Sequence, residues 1–168
     1  ELDLSKTKRY LSKKQDMTVE VSEKGEFEHF MLKEIHEQPQ LIRSLTQYYF
    51  AGEGKKALEK ISQMKPKRIT ISACGTAAYA GFVVREYLEG LNRIPTNVEL
   101  ASEFRYRNPI MQAEDLGLFV SQSGETADTL AAQNLCKKSG MKTVSIVNVE
   151  GSTLFRECDE NLLIRAGV

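Results

Sequence analysis

Ser121, Ser123 and Thr126 lie within six residues, in "SQSGET", with Gly124 among them and a run of good helix formers behind. Hydroxyl donors around a glycine at the start of a helix suit an anion. The first N–H groups of a helix have no partner of their own and carry about half a positive charge. Gly124 lets the backbone approach a ligand, and Gln122 adds an amide. The structural alternative is a plain helix cap. Ser123 is a good N-cap residue with Glu125 and Asp128 after it, although Thr126 stands where a capping box needs Glu or Gln. Taken alone, the segment fits either reading equally well.

A second stretch has the same character. "CGTA", residues 74 to 77, also follows an apolar run and opens a helix. It offers Gly75, Thr76 and Ala77. No G-x-G-x-x-G follows a strand and no G-x-x-x-x-G-K-[ST] occurs, which disfavours a dinucleotide or a P-loop nucleotide. A hydroxyl-rich cradle without lysine suits a small phosphate ester.

These loops need elements to hold them. From Arg68 onward strand-like and helical runs alternate. "RITISA", "TNVELA", "LGLFVS" (116–121), "KTVSIVNV" and "NLLIRA" read as five strands. "TAAYAGFVVREYLEGL", "ETADTLAAQNLCKKSG" and "STLFREC" read as the helices between them, with Lys137 and Lys138 in a last turn and Gly140 after it. Strands apolar on both faces and separated by helices imply a parallel sheet covered on both sides. The predicted fold is a three-layer α/β/α sandwich with a five-stranded parallel sheet in the flavodoxin-like order 2-1-3-4-5. In that order strands 1 and 3 are neighbours, and their two loops share the crevice where ligands of open α/β sheets bind.

Helices precede the sheet. Phe27, Phe30, Met31 and Ile35 repeat near the helical period from Glu26 until Pro39, which is expected to interrupt. Leu41, Ile42, Leu45, Tyr48 and Tyr49 predict a second helix ending near Gly52, with "QYYF" (47–50) as core. Ala57, Leu58, Ile61 and Met64 predict a third, closed before Pro66. Residues 1–24 are charged and polar; "MTVEVS" reads as an edge strand or an extended linker.

Composition limits the function. The chain has 168 residues, with 23 Lys plus Arg against 23 Asp plus Glu. This balance gives no electrostatic reason to seek nucleic acid or an anionic membrane. No apolar run approaches the ~20 residues of a membrane helix. Cys74, Cys136 and Cys158 show neither metal spacing nor a disulfide framework, which points to a reducing, cytoplasmic setting. His29 and His36 are seven apart, the wrong spacing for a shared metal on one helix. Cys74 reads as a packing residue. Arg105 and Arg107 read as anion contacts or as ion-pair partners, with Glu103 as the near acid.

"CGTA", "ASEFRYR", "SQSGETADTLAA", "IVNVEGSTLFRECD" and the terminal "AG" resemble, in order and spacing, the glucosamine-6-phosphate synthase family, the isomerising glutamine–fructose-6-phosphate aminotransferases. "HFMLKEIHEQP" is similar to the segment that opens that family's isomerase region. The resemblance implies a sugar isomerase (SIS) domain over residues 25–168, the first of two SIS subdomains. Residues 1–24 would then be the junction from an upstream glutaminase domain. It also implies a sugar-phosphate site at Thr76, Ser121, Gln122, Ser123 and Thr126, with Gly75, Ala77 and Gly124 beside it. The family often has Ser where Ala77 stands. A hydroxyl lost from a charged phosphate is worth ~1.5–3 kcal/mol unless water replaces it.

The family makes glucosamine 6-phosphate and glutamate from fructose 6-phosphate and glutamine. The resemblance places its acid/base groups in the second SIS subdomain and the C-terminal tail, so no catalytic residue, cofactor or metal is expected in residues 1–168. Expected partners are fructose 6-phosphate or glucosamine 6-phosphate, the two other units of the same chain, and a second copy in a homodimer. The alternative is a stand-alone SIS module that senses a phosphosugar as a regulatory ligand. The neutral charge and the lack of a recognisable helix-turn-helix in residues 1–60 count against it.

Overall fold

The computed structural model describes residues 24–167. The edge strand read in "MTVEVS" lies outside them, as does all of the 1–24 junction except Lys24. Eleven elements follow in order: α1 (Phe30–Ala51), α2 (Lys55–Gln63), β1 (Ile69–Ala73), α3 (Thr76–Asn92), β2 (Thr96–Leu100), α4 (Ala101–Phe104), β3 (Leu116–Ser121), α5 (Ala127–Lys138), β4 (Lys142–Val147), α6 (Thr153–Glu157) and β5 (Glu160–Leu163). All five strands are parallel, in the order β2-β1-β3-β4-β5, as the sequence predicts.

The strand period of two sorts β3 between two cores. Leu116, Leu118 and Val120 join Ile71 and Val144 in a cluster with Ile61 of α2, Met64 at its C-cap and Leu88 of α3. Phe119 belongs to the opposite cluster, with Phe104 of α4, Ala132 and Cys136 of α5, and Leu154 of α6. Burying one such Phe stabilises the fold by roughly 1.5–3 kcal/mol. Burial pushes the thiols of Cys136 and Cys158 up to about 12, so both are protonated packing groups at neutral pH. By the same period Ser121, the last residue of β3, falls on the face of Phe119 and α5.

The sequence reading fails at Pro39. The expected break does not occur, because α1 runs through Pro39 without interruption and starts at Phe30 rather than Glu26. Proline removes one intrahelical hydrogen bond, to the carbonyl of Ile35. Ile35 is half exposed and Pro39 is exposed, so water can serve that carbonyl. No residue of α1 is buried. Its far end is fixed by Tyr49, whose hydroxyl donates to Leu163 O at 2.8 Å. "QYYF" is therefore only partly core: Phe50 is 73% exposed. The four-residue helix α4, in "ASEF", has no counterpart in the sequence reading.

Candidate functional site

β1 is hydrogen-bonded to β3, with Ala73 opposite Val120, so both strands end at one level. The chain leaves them in opposite directions. After β1 it turns into α3 and on to the outer strand β2; after β3 it turns into α5 and on to β4. That divergence opens the crevice, and residues 74–77 and 121–126 form its two lips. Cys74 is half-buried against the α5-side core, its sulfur 3.8 Å from the Thr129 hydroxyl. Gly75 is the N-cap of α3 with φ +57°, and Thr76 is exposed at the first turn.

Residues 121–126 fold into a tight turn held by their own hydroxyls. Gly124 N donates to Ser121 Oγ at 3.1 Å, and Glu125 N donates to Ser123 Oγ at 3.2 Å. Ser121 Oγ and Thr126 Oγ1 share a hydrogen bond at 3.0 Å. A hydroxyl has one donor and two acceptor sites. In this turn the internal bonds use acceptor capacity. The Ser123 O–H, and one O–H of the Ser121–Thr126 pair, stay available to donate. A phosphate only accepts, so the turn presents the complementary half. The N-cap of α5 is Thr126, not Ser123, so the plain-cap reading of Ser123 does not hold.

Charge around the turn is balanced. Asp128, in the first turn of α5, would repel an anion, and Arg105 of the segment after α4 pairs with it at 2.9 Å. Arg107 pairs with Glu99. Both arginines are thus ion-paired, with partners other than Glu103. His36 stacks on Phe27 and His29 lies beside Glu28. Among the described residues no group of three or more His, Cys, Asp and Glu is placed to hold a metal.

The structure divides the predicted site residues. Ser121, Ser123 and Thr126 form one hydrogen-bonded unit around Gly124. Thr76, with Gly75 and Ala77, lies on the opposite lip, and among the described residues no hydrogen bond joins the lips. Gln122, between the two serines, also lines a cavity of about 790 Å³ at the carboxyl ends of β3, β4 and β5, beneath α1, together with Asn148, Leu41, Ser44 and Arg165. Asn148, Ser152 and Arg165 escaped the sequence reading. The signal for the first two was available: "NVEGS" is a polar, glycine-bearing loop at the end of the next strand.

A model of the SIS domain matches residues 60–168. The chain belongs to the SIS domain family. It is 46% identical over 153 residues to the isomerising glutamine–fructose-6-phosphate aminotransferase of Clostridium tetani, and 48% identical over 150 residues to that of Zymomonas mobilis. These alignments take in 88% and 86% of this chain but 25% and 24% of the relatives, so the chain spans about a quarter of their length. Among solved structures, the C-terminal domain of glucosamine-fructose-6-phosphate aminotransferase from Francisella tularensis superposes with a TM-score of 0.81. It is 37% identical, over 88% of this chain and 42% of that one. Glucosamine-6-phosphate deaminase from Thermotoga maritima shares the fold, with a TM-score of 0.64 at 23% identity. No helix among the described residues is long and apolar enough to cross a membrane.

Proposed function

We propose that this SIS domain binds the phosphate of fructose 6-phosphate between the β1 and β3 loops, as the sugar-phosphate-holding unit of an isomerising glutamine–fructose-6-phosphate aminotransferase. The observation that carries the reading is the Ser121–Thr126 turn. Its hydroxyls accept internally and keep O–H groups to donate, at the crevice where the chain diverges, in a chain 46% identical to such enzymes. The assigned contacts are Thr76, Ser121, Gln122, Ser123 and Thr126, flanked by Gly75, Ala77 and Gly124.

Holding and chemistry are separate tasks here. The carboxylates of the turn and of the first turn of α5 are committed elsewhere: Glu125 accepts from Thr153 N and Asp128 is paired with Arg105. A grip that is equal in substrate and transition state does not speed proton transfer. Calorimetry with fructose 6-phosphate is expected to give binding that Ser123→Ala weakens by roughly 1–3 kcal/mol, with the melting temperature little changed. In heavy water the chain should leave the C1 protons of the sugar unexchanged. Equal affinity in a folded Ser123→Ala protein would remove Ser123 from the site. Exchange above the buffer rate would place a general base in this domain.

The homodimer belongs to the same reading. α1 exposes Met31 at 71% and Ile42 at 63%; α3 exposes Tyr79, Val83, Tyr87 and Leu91, one residue per turn on one face. Such apolar surfaces mark interaction sites. Sedimentation is expected to show a concentration-dependent dimer. A strict monomer at high concentration would contradict it.

A further inference from the structure

We propose that Glu125 is a positioning residue of the sugar-phosphate site, latching the β3 turn to the loop after β4; this rests on the reading of residues 121–126 as the phosphate cradle. A carboxylate in the middle of an anion-binding turn is an electrostatic liability, and the structure shows where it goes. Glu125 Oε1 accepts the backbone N–H of Thr153, the first residue of α6, at 2.6 Å. The side chain caps a neighbouring helix instead of facing the crevice.

Three further contacts join the same two loops. Leu154 N donates to Gly124 O at 3.0 Å, and Asn148 N donates to Gln122 O at 3.0 Å. Ser152, 4% exposed, packs directly on the Cα of Gly124. Counting Glu125, residues 122–125 are thus hydrogen-bonded at three points to residues 148–154, between partners 26 to 30 positions apart. Two of these ties are backbone pairs that follow the strand ends. The Glu125 tie alone depends on a side chain, and it acts at the residue before Thr126, whose hydroxyl belongs to the proposed cradle.

The electrostatics agree with the geometry. The N–H and hydroxyl of Thr153 hold the Glu125 carboxyl below the usual carboxylate range, and Arg156 adds to this. Arg156 itself is anchored on Gly151 O and the Thr153 hydroxyl. Asp128, in the first turn of α5, is neutralised by Arg105. Glu125 is therefore ionised at neutral pH and facing positive groups. If released, its charge would lie on the same turn as the incoming phosphate.

The latch has two halves, and each can be removed alone. Glu125→Ala removes the acceptor. Thr153→Pro removes the donor without breaking α6, because proline suits the first position of a helix. Ser152 before it already has φ −59° and ψ 164°, the extended geometry a following proline requires. Each variant is expected to weaken fructose 6-phosphate binding about 3- to 10-fold. The double variant should be no weaker than the worse single one, because both break the same Glu125–Thr153 contact. Glu125→Gln keeps an acceptor oxygen and should recover part of the loss.

Amide exchange by NMR on the unliganded proteins provides a readout that does not depend on the sugar. The amides of Gly124, Glu125 and Leu154 are expected to exchange faster in both single variants. Unchanged exchange would overturn the latch, whatever the affinity. Faster exchange with wild-type affinity would overturn the positioning role. Additive losses in the double variant would show that the two residues act separately, and would overturn the pairing. A wild-type chain that does not bind fructose 6-phosphate would overturn the proposed function, and the positioning role with it.

Discussion

Asp115→Ala is expected to lower the unfolding free energy by about 2–4 kcal/mol while leaving sugar-phosphate affinity unchanged. Asp115 is 3% exposed and precedes β3. Its Oδ2 accepts from Arg68 Nε at 3.2 Å, from Arg68 Nη2 at 2.5 Å and from Gln112 N at 3.2 Å. Arg68 immediately precedes β1, so the pair joins the amino ends of the two central strands. Removing the carboxylate leaves a guanidinium, with only 29% of its side chain exposed, that keeps Ile110 O as an acceptor but loses its counter-charge. That partial exposure places the cost below the value for a fully buried pair. In a domain of this length the loss corresponds to a melting temperature lower by roughly 5–15 °C. Asp115→Asn, which keeps an acceptor but not the charge, should lie between. The crevice is at the other end of β3, about 20 Å away at the usual strand rise. Calorimetry should therefore return wild-type affinity below the melting transition. An unchanged melting curve would show that the pair contributes nothing. A parallel loss of affinity would show that the two ends of the sheet are coupled.

The strands of this sheet could be read because burial on both faces leaves a plain record. "LGLFVS" coincides with β3, Leu116–Ser121, residue for residue, and helices alternating with such runs imply the parallel sheet, whose order is the common 2-1-3-4-5. Pro39 misled because its cost depends on surroundings that the local sequence does not state. In a buried helix an orphaned carbonyl costs a great deal; on α1, where Ile35 and Pro39 are exposed, water can take the bond. α4 was missed for another reason: four residues carry too little periodicity to register.

The cradle was legible as residue types but not as a network. Glycine and hydroxyls at two strand ends indicated where an anion would bind. They did not indicate that Ser121 and Ser123 would spend their acceptor sites within the turn, or that Gln122 would also line the cavity beneath α1. The partners of Arg105 and Arg107 escaped likewise. The local acid Glu103 was the natural guess, whereas Asp128 and Glu99 reach them across elements. Such contacts join residues set side by side only by the parallel crossovers.

Gly124→Ala is expected to damage both the fold and the site, by about 2–5 kcal/mol in stability, through two separable effects. Gly124 has φ +65°, a left-handed conformation that costs a side-chain-bearing residue about 1–2 kcal/mol. An added Cβ would also lie 2.1 Å from Ser152 Oγ and 2.6 Å from Ser152 Cβ. Ser152 has little room to yield, because it is 4% exposed and its N–H is bonded to Val149 O. Relieving the overlap must push the turn away from α6, at a further cost of about 1–3 kcal/mol. That motion would lengthen the Leu154–Gly124 bond and displace Ser123 and Thr126, so affinity for fructose 6-phosphate should fall along with the melting temperature. Ser152→Gly separates the two effects. The Ser152 hydroxyl makes no hydrogen bond and does not cap α6, and glycine at an N-cap costs only a few tenths of a kcal/mol. In the Gly124→Ala background it removes both clashing atoms. The double variant should therefore regain about half of the lost stability, the steric part, while the left-handed backbone penalty remains. A Gly124→Ala protein that melts with the wild type would refute both effects. A double variant no better than Gly124→Ala would show that backbone conformation alone, and not the close approach of α6, requires glycine here.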